Sequence, residues 1–138
     1  MSTSVTKRQA AAVILMAAAW GWADGNFVPD GGITVPNIAL HLIPIVLLLI
    51  FGVPFLSATS PAERARASVG VTVVAILSVI GTTVMIVLGQ TNPDPNSVGV
   101  KTIADWIPAI FELLGSFLWL STMIPSRRTS SQSVASGR

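Results

Sequence analysis

Residues 67–88 form a long apolar run, "ASVGVTVVAILSVIGTTVMIVL", in which no side chain is charged. A helix of about 20 such residues crosses the hydrocarbon core of a bilayer, where the backbone must satisfy its own hydrogen bonds. Ser60, Pro61 and Glu63 stand just before the run and have the pattern of a helix start, with a cap, a proline and an acid in the first turn. The run therefore predicts a membrane-spanning helix.

Three other apolar segments extend this prediction, and they cover residues 9–23, 38–58 and 103–124. The second contains Pro44 and Pro54, which are expected to bend its helix. The first is short, alanine-rich and preceded by basic residues, which is also the pattern of a secretory signal peptide. We therefore expect four transmembrane helices, or three together with a retained, signal-like N-terminal helix.

The composition supports a membrane environment. Hydrophobic residues make up 51% of the 138-residue chain and charged residues only 10%, whereas soluble domains carry about 25% charged residues. The mean hydropathy is +0.73, and a chain of this length cannot bury so much apolar surface in a water-soluble core. The sequence predicts an all-α membrane protein with one integral-membrane helical domain over residues 1–126, and we expect lipid to be bound to its surface.

The basic residues fall almost entirely on one side of the predicted topology. If the N-terminus is cytoplasmic, the outer loops hold Lys101 alone. The other seven basic residues then lie inside, as the positive-inside rule requires: Lys7, Arg8, Arg64, Arg66, Arg127, Arg128 and Arg138. Both termini are thus predicted to be cytoplasmic, with the polar, serine-rich residues 127–138 forming a disordered tail. The small size and this orientation favour a bacterial cytoplasmic (inner) membrane.

Small residues recur at helical spacing along the third predicted span. In lipid, helices associate through close packing of small side chains and through occasional polar contacts. The sequence therefore predicts a helix-packing face made of Ser68, Thr72, Ala75, Ser78 and Thr82.

Three ionisable side chains, His41, Asp105 and Glu112, fall inside the predicted spans. Asp105 and Glu112 are two turns apart on one face of the fourth helix, and Glu112 lies about 10 Å deeper. His41 enters from the same outer side, with Asn37 one turn above it. These residues form a candidate polar path or an intersubunit site. Asp105 also suits the positive end of a helix dipole, and His41 suits a neutral hydrogen bond between helices.

Glu112 is the most informative of these residues because it lies near the middle of its span. A central acid costs about 2.5–3.5 kcal/mol on insertion scales, so it needs a partner or a proton. Three arrangements satisfy this need. Glu112 is protonated and hydrogen-bonded to a serine or threonine of the third helix, it lines a water-filled path, or it meets another subunit.

The residue types present exclude several functional classes. The chain has no cysteine and a single histidine, and it contains no nucleophile motif, no glycine-rich phosphate loop and no zinc-ligand spacing. We therefore expect neither catalytic residues nor a metal or identifiable cofactor. No basic stripe with interleaved aromatic residues is present, so we do not expect nucleic-acid binding.

Two functions stay open at this point. The first is an accessory or structural subunit of a larger membrane complex of respiratory, photosynthetic or monooxygenase type, with other integral membrane subunits as partners. The alternative is a small proton- or ion-coupled transporter or channel that uses Glu112 as its membrane-embedded carboxylate.

Overall fold

The computed structural model describes residues 5–25, 42–94 and 99–124, with side chains for all of these except 23–25. Every regular element in this part of the chain is a helix, which confirms the all-α prediction. We number the helices α1 (Lys7–Gly25), α2 (Leu42–Ser57), α3 (Pro61–Thr91) and α4 (Ile103–Met123). The predicted tail at residues 127–138 and the start of the second predicted span lie outside the described residues.

Two of the helices, α3 and α4, are long and apolar enough to cross a membrane. With 31 residues, α3 is about 46 Å long, so its ends extend beyond a hydrocarbon core of about 30 Å. Within the described residues, α2 is apolar but shorter, and α1 carries Lys7 and Arg8 in its first turn. The spans predicted at residues 9–23 and 38–58, and the orientation of the termini, stay predictions.

The start of α3 follows from three polar or cyclic residues. Ser60 accepts a hydrogen bond from the backbone N–H of Glu63, and the Glu63 carboxylate accepts one from the backbone N–H of Ser60. Pro61 occupies the first helical position, where its missing N–H has no intrahelical role. The predicted helix start is therefore confirmed, and the charged stretch "PAERAR" forms the first turns of α3.

The interruption predicted in α2 takes the form of a wide turn. Residues Leu48–Gly52 are π-helical and directly precede the α-helical segment Val53–Ser57. Pro54 has no N–H to donate to the carbonyl four residues earlier, so the regular ladder cannot continue through this point. The wide turn carries Phe51, whose ring packs so closely on Gly70 of α3 that a Cβ atom at Gly70 would overlap it.

Trp119 is the centre of the helix packing. Its side chain is fully buried, and its ring meets that of Phe55 edge to face at a centroid distance of 4.8 Å and an interplanar angle of 80°. Its indole Nε1 donates a hydrogen bond of 2.9 Å to Oγ1 of Thr72. A single residue of α4 thus holds both α2 and α3.

The connection between α3 and α4 folds back onto the end of α3. Gly89 on α3 faces Gly99 and Val100 so closely that a Cβ atom on either glycine would overlap the backbone opposite. The backbone N–H of Val100 donates to the carbonyl of Met85 at 2.9 Å, and the Gln90 side-chain amide donates to the carbonyl of Val100 at 3.1 Å. Gly99 has a φ of 143°, which favours glycine.

The contact between α1 and α4 is also close, and Gly115 permits it. A Cβ atom at Gly115 would lie 2.9 Å from Cγ of Met16 and 3.0 Å from the backbone oxygen of Ala12 and the backbone nitrogen of Met16. Ala12 and Met16 are themselves fully buried. A larger side chain at this position would therefore push the two helices apart. Small residues at helix interfaces allow the backbones to approach closely.

We predict that Gly115→Leu destabilises the bundle by roughly 1–3 kcal/mol, because the added side chain overpacks the α1–α4 contact. Gly81→Leu on α3 is the matched control, since a Cβ atom there has no neighbour within 4 Å. The free energy of unfolding of both variants would be measured by denaturant titration in mild detergent. Equal stability of the two variants would contradict the close contact at Gly115.

Candidate functional site

Glu112 lies near the middle of α4 and faces the interior of the bundle. Its side chain is 7% exposed. Its Oε2 accepts a hydrogen bond of 2.7 Å from Oγ1 of Thr82 on α3, and the Thr82 side chain is also buried. The acid thus has a hydrogen-bond partner within its own chain, and that partner is a threonine of α3. The protonation of Glu112, the water-filled path and the contact with another subunit stay predictions.

The predicted packing face explains why a threonine of α3 meets Glu112. Ala75, Ser78 and Thr82 are buried, and they follow one another at helical spacing along α3. Thr72, one turn before Ala75, accepts the indole hydrogen bond of Trp119. The hydroxyl of Ser68 instead donates to the carbonyl of Ala65 in its own helix. Two hydrogen bonds, one at Thr72 and one at Thr82, therefore join α3 to α4 three helical turns apart.

Two further polar groups face the Glu112 carboxyl, and a third polar residue lies one turn away on α4. Ser78 of α3 and Trp20 of α1 turn their hydroxyl and indole groups toward it. Ser116 stands one turn after Glu112 on the same face of α4 and is fully buried. The carboxyl group is consequently lined by α1, α3 and α4 of one chain.

Three buried polar atoms of this cluster have no hydrogen-bond partner within the protein: Oε1 of Glu112, Nε1 of Trp20 and Oγ of Ser116. Trp20 and Glu112 face each other, but the indole does not reach hydrogen-bond geometry with Oε1. An unsatisfied buried polar group costs about 1–3 kcal/mol. This carboxyl and its polar neighbours mark the polar centre of the bundle, and we call Glu112, Trp20, Ser116, Thr82 and Ser78 the Glu112 cluster.

Asp105 does not belong to the Glu112 cluster. Its carboxylate accepts hydrogen bonds from the backbone N–H of Thr102 at 2.7 Å and of Lys101 at 3.1 Å, and from the Thr102 hydroxyl at 2.9 Å. The Thr102 hydroxyl in turn accepts from the backbone N–H of Asp105, so the two residues form a capping box at the start of α4. Asp105 therefore closes its own helix, two turns from Glu112.

His41 and Asn37 lie outside the described residues, so the polar path through Asn37, His41, Asp105 and Glu112 stays a prediction. Within residues 5–25, 42–94 and 99–124, no group of three His, Cys, Asp or Glu side chains is arranged to hold a metal ion. The chemistry available to the Glu112 cluster is that of a carboxyl group, hydroxyl groups and one indole N–H, which exchange hydrogen bonds and protons.

Comparison with known proteins gives no match: no family model, no curated protein and no solved structure is significantly similar to this chain. The function is therefore inferred from the residues and their geometry.

We predict that Thr82→Val lowers the free energy of unfolding by about 1 kcal/mol, because it removes the hydrogen bond to Glu112 while keeping the shape of the side chain. Thr83→Val is the matched control: Thr83 is exposed, and its hydroxyl donates only to the carbonyl of Val79 in its own helix. Denaturant titration of both variants in mild detergent measures the difference. If the two substitutions cost the same, the bond between Thr82 and Glu112 does not hold α3 to α4.

Proposed function

We propose that the chain is a small integral membrane protein and that it serves as an accessory subunit of a larger membrane protein complex, of respiratory, photosynthetic or monooxygenase type. In this proposal all four helices are embedded in the membrane, both termini are cytoplasmic, and the membrane is the bacterial cytoplasmic (inner) membrane. The neighbours of the chain are lipid and other integral membrane subunits.

The observation that carries the proposal is the contrast between the inside and the outside of the bundle. Large apolar side chains are exposed along α2, α3 and α4, among them Leu49, Ile50, Val53, Val69, Val73, Leu77, Ile80, Val84, Val87, Leu114 and Phe117. Contiguous apolar surface of this extent is typical of a protein that contacts membrane or other proteins. Thr82 and Glu112, and likewise Thr72 and Trp119, meanwhile bond α3 to α4 in the interior of the bundle.

This arrangement suits a subunit whose apolar surface packs against the helices of other subunits. The internal hydrogen bonds at Thr72 and Thr82 and the close contact at Gly115 fix the relative positions of α1, α3 and α4. The exposed face then presents side chains that pack equally well against acyl chains and against the apolar helices of a neighbouring subunit. The basic residues at the helix starts, Lys7, Arg8, Arg64 and Arg66, support the proposed orientation.

The proposal is tested by the mass of the protein when it is extracted gently from its native membrane. We expect the tagged wild type to run in a hetero-complex much larger than its own mass of 14.4 kDa. Because Glu112 faces inward, we expect Glu112→Gln to leave that mass unchanged, as the control Glu63→Gln does. A monomer or small homo-oligomer in the wild type would contradict the accessory role. If the hetero-complex dissociates in Glu112→Gln but not in Glu63→Gln, Glu112 contacts another subunit.

A second candidate function, proton-coupled transport, is favoured by one observation: the Oε1 atom of Glu112 is buried with no protein partner. A carboxyl oxygen in that position is able to take up and release a proton during transport. Purified protein in liposomes, assayed for proton flux, separates the two functions. The accessory role predicts no flux that depends on Glu112. A flux in the wild type that Glu112→Gln abolishes and Glu63→Gln preserves would assign transport to the chain instead.

A further inference from the structure

The starts of α1 and α3 lie at the same end of the bundle. Thr72 bonds to Trp119 and Thr82 bonds to Glu112, so α3 runs antiparallel to α4. The α1 helix is antiparallel to α4 as well, because residues later in α1 meet residues earlier in α4. Both helices therefore begin at the end of the bundle where α4 stops.

This end of the bundle carries an excess of positive charge. Lys7 and Arg8 lie in the first turn of α1, and Arg64 and Arg66 lie in the first two turns of α3. The described ends of α2 and α4 add no charged side chain here. Glu63 is the one acid among the described residues at this end, and its carboxylate accepts a hydrogen bond within the cap of α3. Four cations therefore stand against one carboxylate that is already engaged.

Lys7 and Arg8 are placed where their own helix disfavours them. The side-chain oxygen of Gln9 accepts a hydrogen bond from the backbone N–H of Thr6 at 3.1 Å, and the Thr6 hydroxyl accepts one from the backbone N–H of Gln9 at 3.2 Å. This reciprocal cap makes Lys7 and Arg8 the first two residues of α1, and no acid accompanies them in the first turn. The start of a helix is the positive end of its dipole, so it repels cations and attracts anions. An anion outside the protein would relieve this repulsion.

The depth of Arg66 matches that of lipid headgroups. The uncharged run over residues 67–88 spans about 33 Å as a helix, close to the thickness of a hydrocarbon core of about 30 Å. Arg66 directly precedes this run, and its side chain is exposed, as are those of Lys7 and Arg8. Arg64 is half-buried instead, and its guanidinium donates to the backbone carbonyl of Ala58. Three exposed cations thus face the surroundings of the bundle.

We propose that Lys7, Arg8 and Arg66 bind the headgroups of anionic phospholipids at this end of the bundle. Val69 and Val73 follow Arg66 on the same face of α3 and are 65% and 49% exposed. A lipid whose headgroup meets Arg66 therefore extends an acyl chain along apolar side chains of the same helix. The inference rests on the proposed membrane embedding of the chain, but not on its role as an accessory subunit.

The neighbouring apolar surface favours a lipid over a water-soluble acidic partner. The cations stand at the border of the exposed apolar surface of α3, not within a polar patch. An amphiphile with a net negative headgroup fits both sides of this border, whereas an acidic protein surface in water covers the cations only. Phosphatidylglycerol has such a headgroup, while the choline of phosphatidylcholine neutralises the phosphate.

The test is native mass spectrometry of the delipidated full-length protein in a non-ionic detergent, titrated with phosphatidylglycerol or with phosphatidylcholine of the same acyl chains. We expect the wild type to bind phosphatidylglycerol at least about fivefold more tightly, the effect of one basic residue near an anionic surface. Equal affinities would overturn the proposal and leave the membrane embedding in place. Binding of neither lipid would also overturn it, and solubility without detergent would then overturn the membrane embedding as well.

Variants that remove charge locate the binding surface. Arg66→Gln and the double variant Lys7→Gln, Arg8→Gln should lower the affinity for phosphatidylglycerol by roughly fivefold per residue changed, with the affinity for phosphatidylcholine unchanged. Arg66→Lys keeps the charge and should keep most of the preference. Lys101→Gln is the matched control, because it removes one positive charge at the opposite end of the bundle, next to the start of α4. If Lys101→Gln weakens the preference as much as Arg66→Gln does, the assignment to this end is wrong.

An acidic partner subunit gives a different result. A wild type without lipid preference, whose native hetero-complex dissociates in the double variant Lys7→Gln, Arg8→Gln, would show that these cations meet a protein and would overturn the proposal. If a variant does not fold, the comparison of the two lipids on the wild type still decides.

Discussion

The packing of the bundle depends on Trp119, which contacts two other helices through two different interactions. The edge-to-face contact with Phe55 holds the short α-helical segment that follows the wide turn of α2, and the indole hydrogen bond to Thr72 fixes the rotation of α3 about its axis. That rotation brings Thr82 to Glu112, since Thr72 and Thr82 lie on one face of α3. The polar centre of the bundle is thus set by an aromatic residue two turns away from it.

Local sequence patterns predicted the features that arise within one helix. Ser60, Pro61 and Glu63 gave the start of α3, and Pro54 gave the interruption of α2, because caps and prolines act on backbone groups a few residues away. From the sequence alone, Asp105 fits both a polar path and a helix start. The capping box with Thr102 shows why hydrogen bonds to three nearby donors outweigh a contact two turns deeper.

Contacts between helices were less accessible from sequence, because periodicity shows which face is apolar or small but not which helix covers it. Trp20 illustrates the difference. Its place near the end of an apolar segment is typical of an interfacial anchor, yet its indole turns toward Glu112. Only the antiparallel approach of α1 to α4, made possible by Gly115, brings the two residues together. Ser116 carried a usable signal, since it stands four residues after Glu112 on the same face.

The contact of Gly89 with Gly99 constrains how this sequence is free to diverge. A Cβ atom on either residue overlaps the backbone of the other segment, so neither position tolerates a side chain while the loop keeps its path. The two glycines, ten residues apart, are therefore expected to be inherited together and to be lost together if the loop is rebuilt. Exposed apolar positions such as Val73 and Leu77 have no comparable close contact, so we expect them to exchange more readily among apolar residues. In such a chain, we expect the spaced pair of glycines to identify related sequences better than the long apolar helices do.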